Sequence, residues 1–196
     1  KEIIRSTYEK GGKVIIPAFA LERTQEILYQ CARLRHSGDM PADMPIYVDS
    51  PLAIKCTEIF AKHLNVYDKD ARGLIEAGIN PFDFPGLHYI GSVDESKALN
   101  EDPRPMVIIA ASGMMEAGRV LHHLRNNIED SKNTILIVSF QAQHTLGHRI
   151  AERQKEVNIF GEPFRLRARV KILNAFSGHA GRSELIEYVR AVRDAS

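Results

Sequence analysis

Met106-Val107-Ile108-Ile109-Ala110 is an unbroken apolar run that opens directly into Ala111-Ser112-Gly113-Met114-Met115. Five apolar residues between Pro105 and a turn of small residues read as a strand covered on both faces, because a half-buried strand would alternate. The same grammar repeats outward from it. Lys13-Val14-Ile15-Ile16-Pro17 follows Gly11-Gly12, and Pro45-Ile46-Tyr47-Val48, residues 134–138 and residues 87–90 are further short strands. Helical spacing fills the gaps. Residues 21–35 place Leu21, Ile27, Leu28, Cys31 and Leu34 on one stripe. Residues 52–63 follow Pro51, whose missing N–H is not needed in a first helical turn. Residues 68–76, 93–99, 118–126, 145–154 and 182–192 complete the set, and Glu2, Ile3, Ile4 and Tyr8 begin the chain in a helix. Strands apolar on both faces and joined by helices predict an α/β fold, a largely parallel sheet with helices on both faces. Val157-Asn158-Ile159 and Glu162-Pro163-Phe164 flank Phe160-Gly161 and predict a small β-hairpin near the C-terminus. Residues 165–173 read as one further strand.

The chain has 196 residues, 44% hydrophobic and 26% charged, enough for one α/β domain with a real core. A formal net charge of +1 excludes a polycation, so any nucleic-acid contact has to come from a local cluster of Lys and Arg. Cys31 and Cys56 lie far apart in apolar-periodic segments and read as free thiols of a reducing compartment, which predicts a cytoplasmic protein. No stretch is long and apolar enough to span a bilayer, so no membrane partner is expected. The chain starts at Lys1, without Met and within a helical pattern, and is expected to be a piece of a longer protein. No strand is followed by G-x-G-x-x-G or G-x-x-x-x-G-K-[ST], which counts against a nucleotide-binding domain.

In a parallel sheet, ligands gather where strands end and helices begin. Four such junctions are rich in small and polar residues: Phe19-Ala20-Leu21-Glu22-Arg23-Thr24, Asp49-Ser50-Pro51-Leu52-Ala53, residues 111–115, and Ser139-Phe140-Gln141-Ala142-Gln143-His144-Thr145. Backbone N–H groups at helix starts attract anions, and Gly113 would let a phosphate approach closely. Ser50 and Ser112 equally suit helix caps. A fifth junction, Asn174-Ala175-Phe176-Ser177-Gly178-His179-Ala180, offers an imidazole above a turn, suited to proton transfer or to holding a phosphate oxygen. The other reading is a cap by Ser177 with an incidental surface histidine. Arg165, Arg167, Arg169 and Lys171 alternate with apolar residues, so one strand would carry four cations on one face, for a nucleic-acid backbone or simply for solvent. The eight histidines include the adjacent pair His122 and His123, which face different ways on a helix, and His144 and His148, which could share a helix face. There is no H-x-H-x-D-H and no C-x-x-C, so no metal site is expected in this chain.

Taken together, these residues resemble the β-CASP region of metallo-β-lactamase-fold nucleases, such as the cleavage and polyadenylation endonuclease and its prokaryotic relatives. Residues 14–26 are similar to that region's "IP-x-FA-x-x-R-x-QE" opening. Residues 49–53, residues 111–119 and Phe176-Ser177-Gly178-His179-Ala180 match later blocks in the same order. The resemblance covers nearly the whole chain. It implies a clamp closing over an active site, with RNA as partner and two-metal phosphodiester hydrolysis as the reaction. His179 falls on the family's motif B histidine, which implies a catalytic role at the scissile phosphate or leaving group. Ser177, Gly178 and Ala180, with Ser112, Gly113, Ser50, Arg23 and Arg119 of the matched blocks, are the implied RNA- and phosphate-binding residues. Two zinc ions are implied for the full-length protein and none for this chain, because the ligand motif and the motif A acid should precede Lys1. Ser6-Thr7-Tyr8 echoes the surroundings of that acid, but Arg5 stands at its position. The expected organisation is a β-CASP domain over residues 1–172 and, over residues 173–196, a return toward a missing metallo-β-lactamase domain. Relatives in the family often dimerise, so a homodimer partner is an expectation as well. The fragment alone is expected to be inactive, in a microbial RNA-processing hydrolase. The alternative is a non-catalytic nucleic-acid-binding module of the same family.

Overall fold

A computed structural model of the chain describes residues 1–174 and 180–194. Helix α1 (Glu2–Tyr8) leads into strand β1 (Val14–Pro17), and α2 (Arg23–His36) into β2 (Ile46–Asp49). Then come α3 (Pro51–Lys62), α4 (Lys69–Glu76), β3 (Leu87–Tyr89), α5 (Val93–Glu101) and β4 (Val107–Ala110). The chain continues through α6 (Arg119–Asn127), β5 (Thr134–Ile137), α7 (Leu146–Ala151), the hairpin β6 (Glu156–Ile159) and β7 (Glu162–Arg165), then β8 (Arg169–Ile172) and α8 (Arg182–Asp194). Among the described residues six strands form one sheet, in the order β3-β2-β4-β1-β5-β8, and β6-β7 form a separate two-stranded sheet. Every pairing in the larger sheet is parallel, and the hairpin is antiparallel.

Alternation within the central strands explains why both faces need a cover. Val14 and Ile16 of β1 point to one side with Val48, Ile109 and Leu136, and meet Ile27, Leu28 and Cys31 of α2 and Ala53 of α3. Ile15 points to the other side in a row with Ile108 and Ile135, against Leu99 of α5, Val120 and Leu124 of α6, and Ile150 of α7. The hairpin adds Val157 and Ile159 to that second layer. Burying two apolar layers against one sheet is the arrangement that continuous apolar strands require.

The expected strand over residues 165–173 is two pieces. β7 ends at Arg165 in the hairpin and β8 starts at Arg169 in the main sheet. Between them the N–H groups of Arg167 and Ala168 donate to Ile128 O, at 3.0 and 2.8 Å, as the chain crosses from one sheet to the other. The four cations therefore do not share a strand face. Arg169 turns toward the end of α1, donating to Thr7 Oγ1 at 3.0 Å and Ser6 O at 3.3 Å. His144 and His148 do not share a helix face either. Thr145 caps α7 by accepting from His148 N, and His144 precedes the cap at φ 71°. Arg153, at φ 55°, lies beyond the end of that helix, which is shorter than the expected 145–154. Both cysteines are free, Cys31 buried and Cys56 half-buried.

The hairpin turn has Phe160 at φ 54° and Gly161 at φ 82°, a two-residue loop with both central residues left-handed. That geometry matches the right-handed twist of the strands and favours Asn-Gly. A bulky aromatic at the first position costs about 1 kcal/mol or more.

A close approach elsewhere depends on a missing side chain. A Cβ on Gly12 would stand 2.0 Å from Lys132 O, a backbone atom that cannot swing away. Gly12→Ala is expected to lower stability by about 1–3 kcal/mol, read as a fall in the thermal midpoint by circular dichroism. An unchanged midpoint would show that the start of β1 tolerates a shift.

Candidate functional site

With all six strands parallel, their C-terminal ends share one edge, and the turns there are tied to one another. The turn after β1 meets the turn after β4 at Gly113, where a Cβ would lie 3.0 Å from the Phe19 ring. Gln25 Nε2, from α2, donates to Ala20 O at 3.2 Å and to Thr57 Oγ1 of α3 at 2.8 Å. The turn after β5 is fixed to the turn after β4 by Gln141 Nε2, which donates to Gly113 O at 2.9 Å. Two further bonds join α7 to that turn: Gly147 N to Met114 O at 3.2 Å, and Leu146 N to the Glu116 carboxylate at 2.5 Å. Within it, Ser112 Oγ accepts from the N–H groups of Glu116 and Ala117.

The remaining tie is ionic. Asp49, the last residue of β2, has a fully buried carboxylate. Oδ1 accepts from Arg119 Nη1 at 2.5 Å; Oδ2 accepts from His123 Nε2 at 2.6 Å and from Ser96 Oγ at 2.5 Å. Arg119 also donates to Ile90 O and Gly91 O, both at 3.1 Å, so one guanidinium holds the ends of β2 and β3 to the start of α6. His123 is fully buried and its Nδ1 lies 2.9 Å from Asn100 Oδ1. Asn100 Nδ2 points to Ser96 O, which fixes that oxygen toward the ring. Both ring nitrogens thus face oxygen atoms, Asp49 Oδ2 on one side and Asn100 Oδ1 on the other. Burial alone would raise the Asp49 carboxyl, but the hydrogen bonds from His123, Ser96 and Arg119 and the charge of His123 hold it below the ordinary carboxylate range.

The network continues away from the rim. Asn127 Nδ2 bonds Asn100 Oδ1 at 3.3 Å, and Asn133 Nδ2 bonds Asn127 O at 3.0 Å. Asn133 Oδ1 accepts from Lys13 N at the start of β1, and Lys13 Nζ caps the end of α5 through Leu99 O at 2.7 Å. Polar side chains thus run beneath α5 and α6 from one sheet edge to the other.

Of the residues expected at the site, Ser50, Ser112 and Gly113 lie in the turns of this edge, and Arg23 and Arg119 open α2 and α6 beside them. Ser50 caps α3, accepting from Ala53 N at 3.3 Å. Arg23 is mostly buried and pairs with Glu26 at 3.1 Å. The partners of Arg119 described above are all protein atoms. Ala180 is exposed, ahead of α8. His179, Ser177 and Gly178 lie outside the described residues. Asp49, His123, Ser96 and Asn100 were missed by sequence reasoning. The signal was present: Arg119 and His123 stand four apart, and His123 falls in the stripe of Val120, Leu124 and Asn127. Among the described residues no group of three His, Cys, Asp or Glu side chains gathers as a metal would need. No helix of the described residues is long and apolar enough to cross a membrane.

A parallel α/β domain whose strand-end turns are knitted into one rim around a buried Asp–Arg–His cluster belongs to the class of α/β domains that offer a ligand face at a sheet edge. The comparisons with known proteins are specific about which. Residues 24–150 match the model of the Beta-Casp domain, and residues 164–196 match that of the Zn-dependent metallo-hydrolase RNA specificity domain. The chain belongs to the β-CASP family. It is 41% identical over 189 residues to ribonuclease TTHA0252 of Thermus thermophilus, covering 96% of this chain and 43% of that protein. It is 35% identical over 191 residues to an RNase J-like protein of Methanocaldococcus jannaschii, 97% of this chain and 43% of that one. With transcription termination factor FttA of Methanosarcina mazei the identity is 34% over 197 residues, 97% of this chain and 31% of that one. The chain thus spans less than half the length of these curated relatives.

Removing Asp49 leaves the Arg119 guanidinium and the buried His123 ring without this acceptor. Asp49→Ala is expected to cost about 3–5 kcal/mol, seen in chemical denaturation. The folded carboxyl is depressed, so its stabilisation is present above the unfolded value of about 3.9 and fades as pH falls through the lower folded value. Asp49→Asn should flatten that acid limb. An unaltered acid limb would mean that Asp49 carries no charge in the fold.

Proposed function

We propose that the rim at the C-terminal edge of the sheet grips RNA in a β-CASP ribonuclease whose phosphodiester-hydrolysing metal centre lies in a part of the protein outside this chain. The observation that carries the reading is the continuity of the turns after β1, β2, β4 and β5. A backbone of phosphates needs a row of donors on one face, and this edge supplies one. Gly113 and Met114 have N–H groups that meet no acceptor among the described residues. The buried cluster holds the Arg119 guanidinium at the start of α6, beside this row. In this reading Gly113 and Met114 take a phosphate through their N–H groups, and Ser112, whose own N–H donates to Ala117 O at 3.1 Å, brings its side chain to the same phosphate. Ser50 and Arg119 hold the neighbouring turns, and Arg23 supports the start of α2. Ser177, Gly178 and Ala180 bind further phosphates, and His179 handles the proton or the phosphate at the scissile bond. RNA is favoured over other polyanions by the names of the relatives, two of which are ribonucleases. The compartment is the cytoplasm.

The match to a termination factor supports a second reading, an RNA-binding module that cuts nothing. Two measurements separate them. Fluorescence anisotropy with single-stranded RNA should show binding by this chain that weakens steeply with salt. Ser112→Asp, which sets a carboxylate against the phosphate, should weaken it about tenfold or more. In the full-length protein, His179→Ala should greatly lower cleavage while zinc content stays unchanged. Zinc lost with the imidazole would make His179 a ligand. A full-length protein that binds RNA and never cuts it would establish the second reading, and absence of RNA binding at low salt would remove both.

A further inference from the structure

We propose that Phe160, at the hairpin tip, and His122, on α6, form a stacking platform for an unpaired RNA base beside the rim. The inference rests on the RNA-binding reading above and adds a site to it. Phe160 is half-exposed, and its ring meets that of His122 with centroids 4.8 Å apart and planes tilted by 43°. His122 is itself exposed. The two rings therefore present open π-surface instead of closing on each other.

Three observations point to a base as occupant. The first is conformational: Phe160 sits at φ 54°, where Asn would be at ease and an aromatic is strained. A strained residue kept at an exposed tip is a candidate for function. The second is position. His122 lies three residues along α6 from Arg119, about 5 Å in axial rise, so the platform borders the rim. The third is the surroundings. Next to the tip, Arg125 pairs with Glu162 at 3.1 Å, both side chains half-exposed or more. An ion pair so open to solvent holds weakly and can release its guanidinium to a phosphate. Asn158, Gly161 and Glu162 around the rings are polar or lack a side chain. The apolar area is thus the size of a ring or two, far short of the ~1,000 Å² that a stable protein partner needs. Stacking on aromatic side chains with a cation at the neighbouring phosphate is how single-stranded RNA is bound.

The chain contains no Trp, so Phe160→Trp places a single fluorophore at the tip. Titration with a ten-nucleotide oligoadenylate should quench it, at the same midpoint as anisotropy of labelled RNA. Phe160→Asn removes the ring while relieving the turn, so the thermal midpoint should hold or rise as RNA affinity drops about tenfold. Phe160→Tyr should restore the affinity. RNA binding that is unchanged in Phe160→Asn, or that leaves the Trp signal unmoved, overturns the platform and leaves the rim reading intact. Absence of any RNA binding by the unaltered chain overturns both. Light scattering that shows a dimer lost in Phe160→Asn would give the rings to a second copy and overturn the base.

Discussion

The carboxylate of Asp49 is the constraint on which the C-terminal edge of the sheet depends. It is charged, has no access to water, and meets a guanidinium, an imidazole ring and a hydroxyl. A buried ion of this kind brings little net stability relative to an apolar core, since desolvation offsets most of the attraction. What it does provide is geometry. Arg119 reaches Asp49, Ile90 and Gly91 only when α6, β2 and β3 stand in one arrangement. A pair of apolar side chains would allow sliding, whereas a bond of 2.5 Å with a carboxylate between two donors does not. The turns at this edge are thereby held in one relative arrangement.

The asparagine chain from Asn100 to Asn133 belongs to the same logic. Each amide has both a donor and an acceptor to satisfy, and each is met by a neighbour in the chain or by a backbone carbonyl. The start of β1, with Lys13 at the end of α5, is thereby tied to the edge where Asp49 sits. A partly satisfied network in the same place would cost more than an apolar core. This face of the sheet is therefore rigid along its length, while the opposite face packs mainly through aliphatic and aromatic contact around Ile16, Leu28 and Val48.

How much of this could be read from residues alone depends on the range of the interaction. Apolar runs such as residues 106–110 report burial on both faces directly, so the parallel sheet and its covering helices were legible, as was the hairpin at Phe160-Gly161. Small-residue turns after strands pointed to the edge. Long-range polar pairing left weaker marks: Asp49 and His123 are 74 residues apart, and only the position of His123 on the apolar stripe of α6 hints at a buried partner. The break after Arg165 was hidden for a different reason. A period of two continues through residues 165–171, and nothing local says that the chain changes sheets; the capture of two N–H groups by Ile128 O decides it.

The hairpin that this break creates also explains why the second layer is complete. Val157 and Ile159 cover the ends of α6 and α7 that the main sheet alone would leave open. Their alternation turns Glu156 and Asn158 outward, and Phe160 follows in the two-residue loop at φ 54°, where it is half-exposed. The turn does not select an aromatic for that place, because Asn, Asp or Gly would sit more easily at this φ. The cover of the second layer thus accounts for where the hairpin stands, and the aromatic at its tip trades an easier turn for a ring contact with His122.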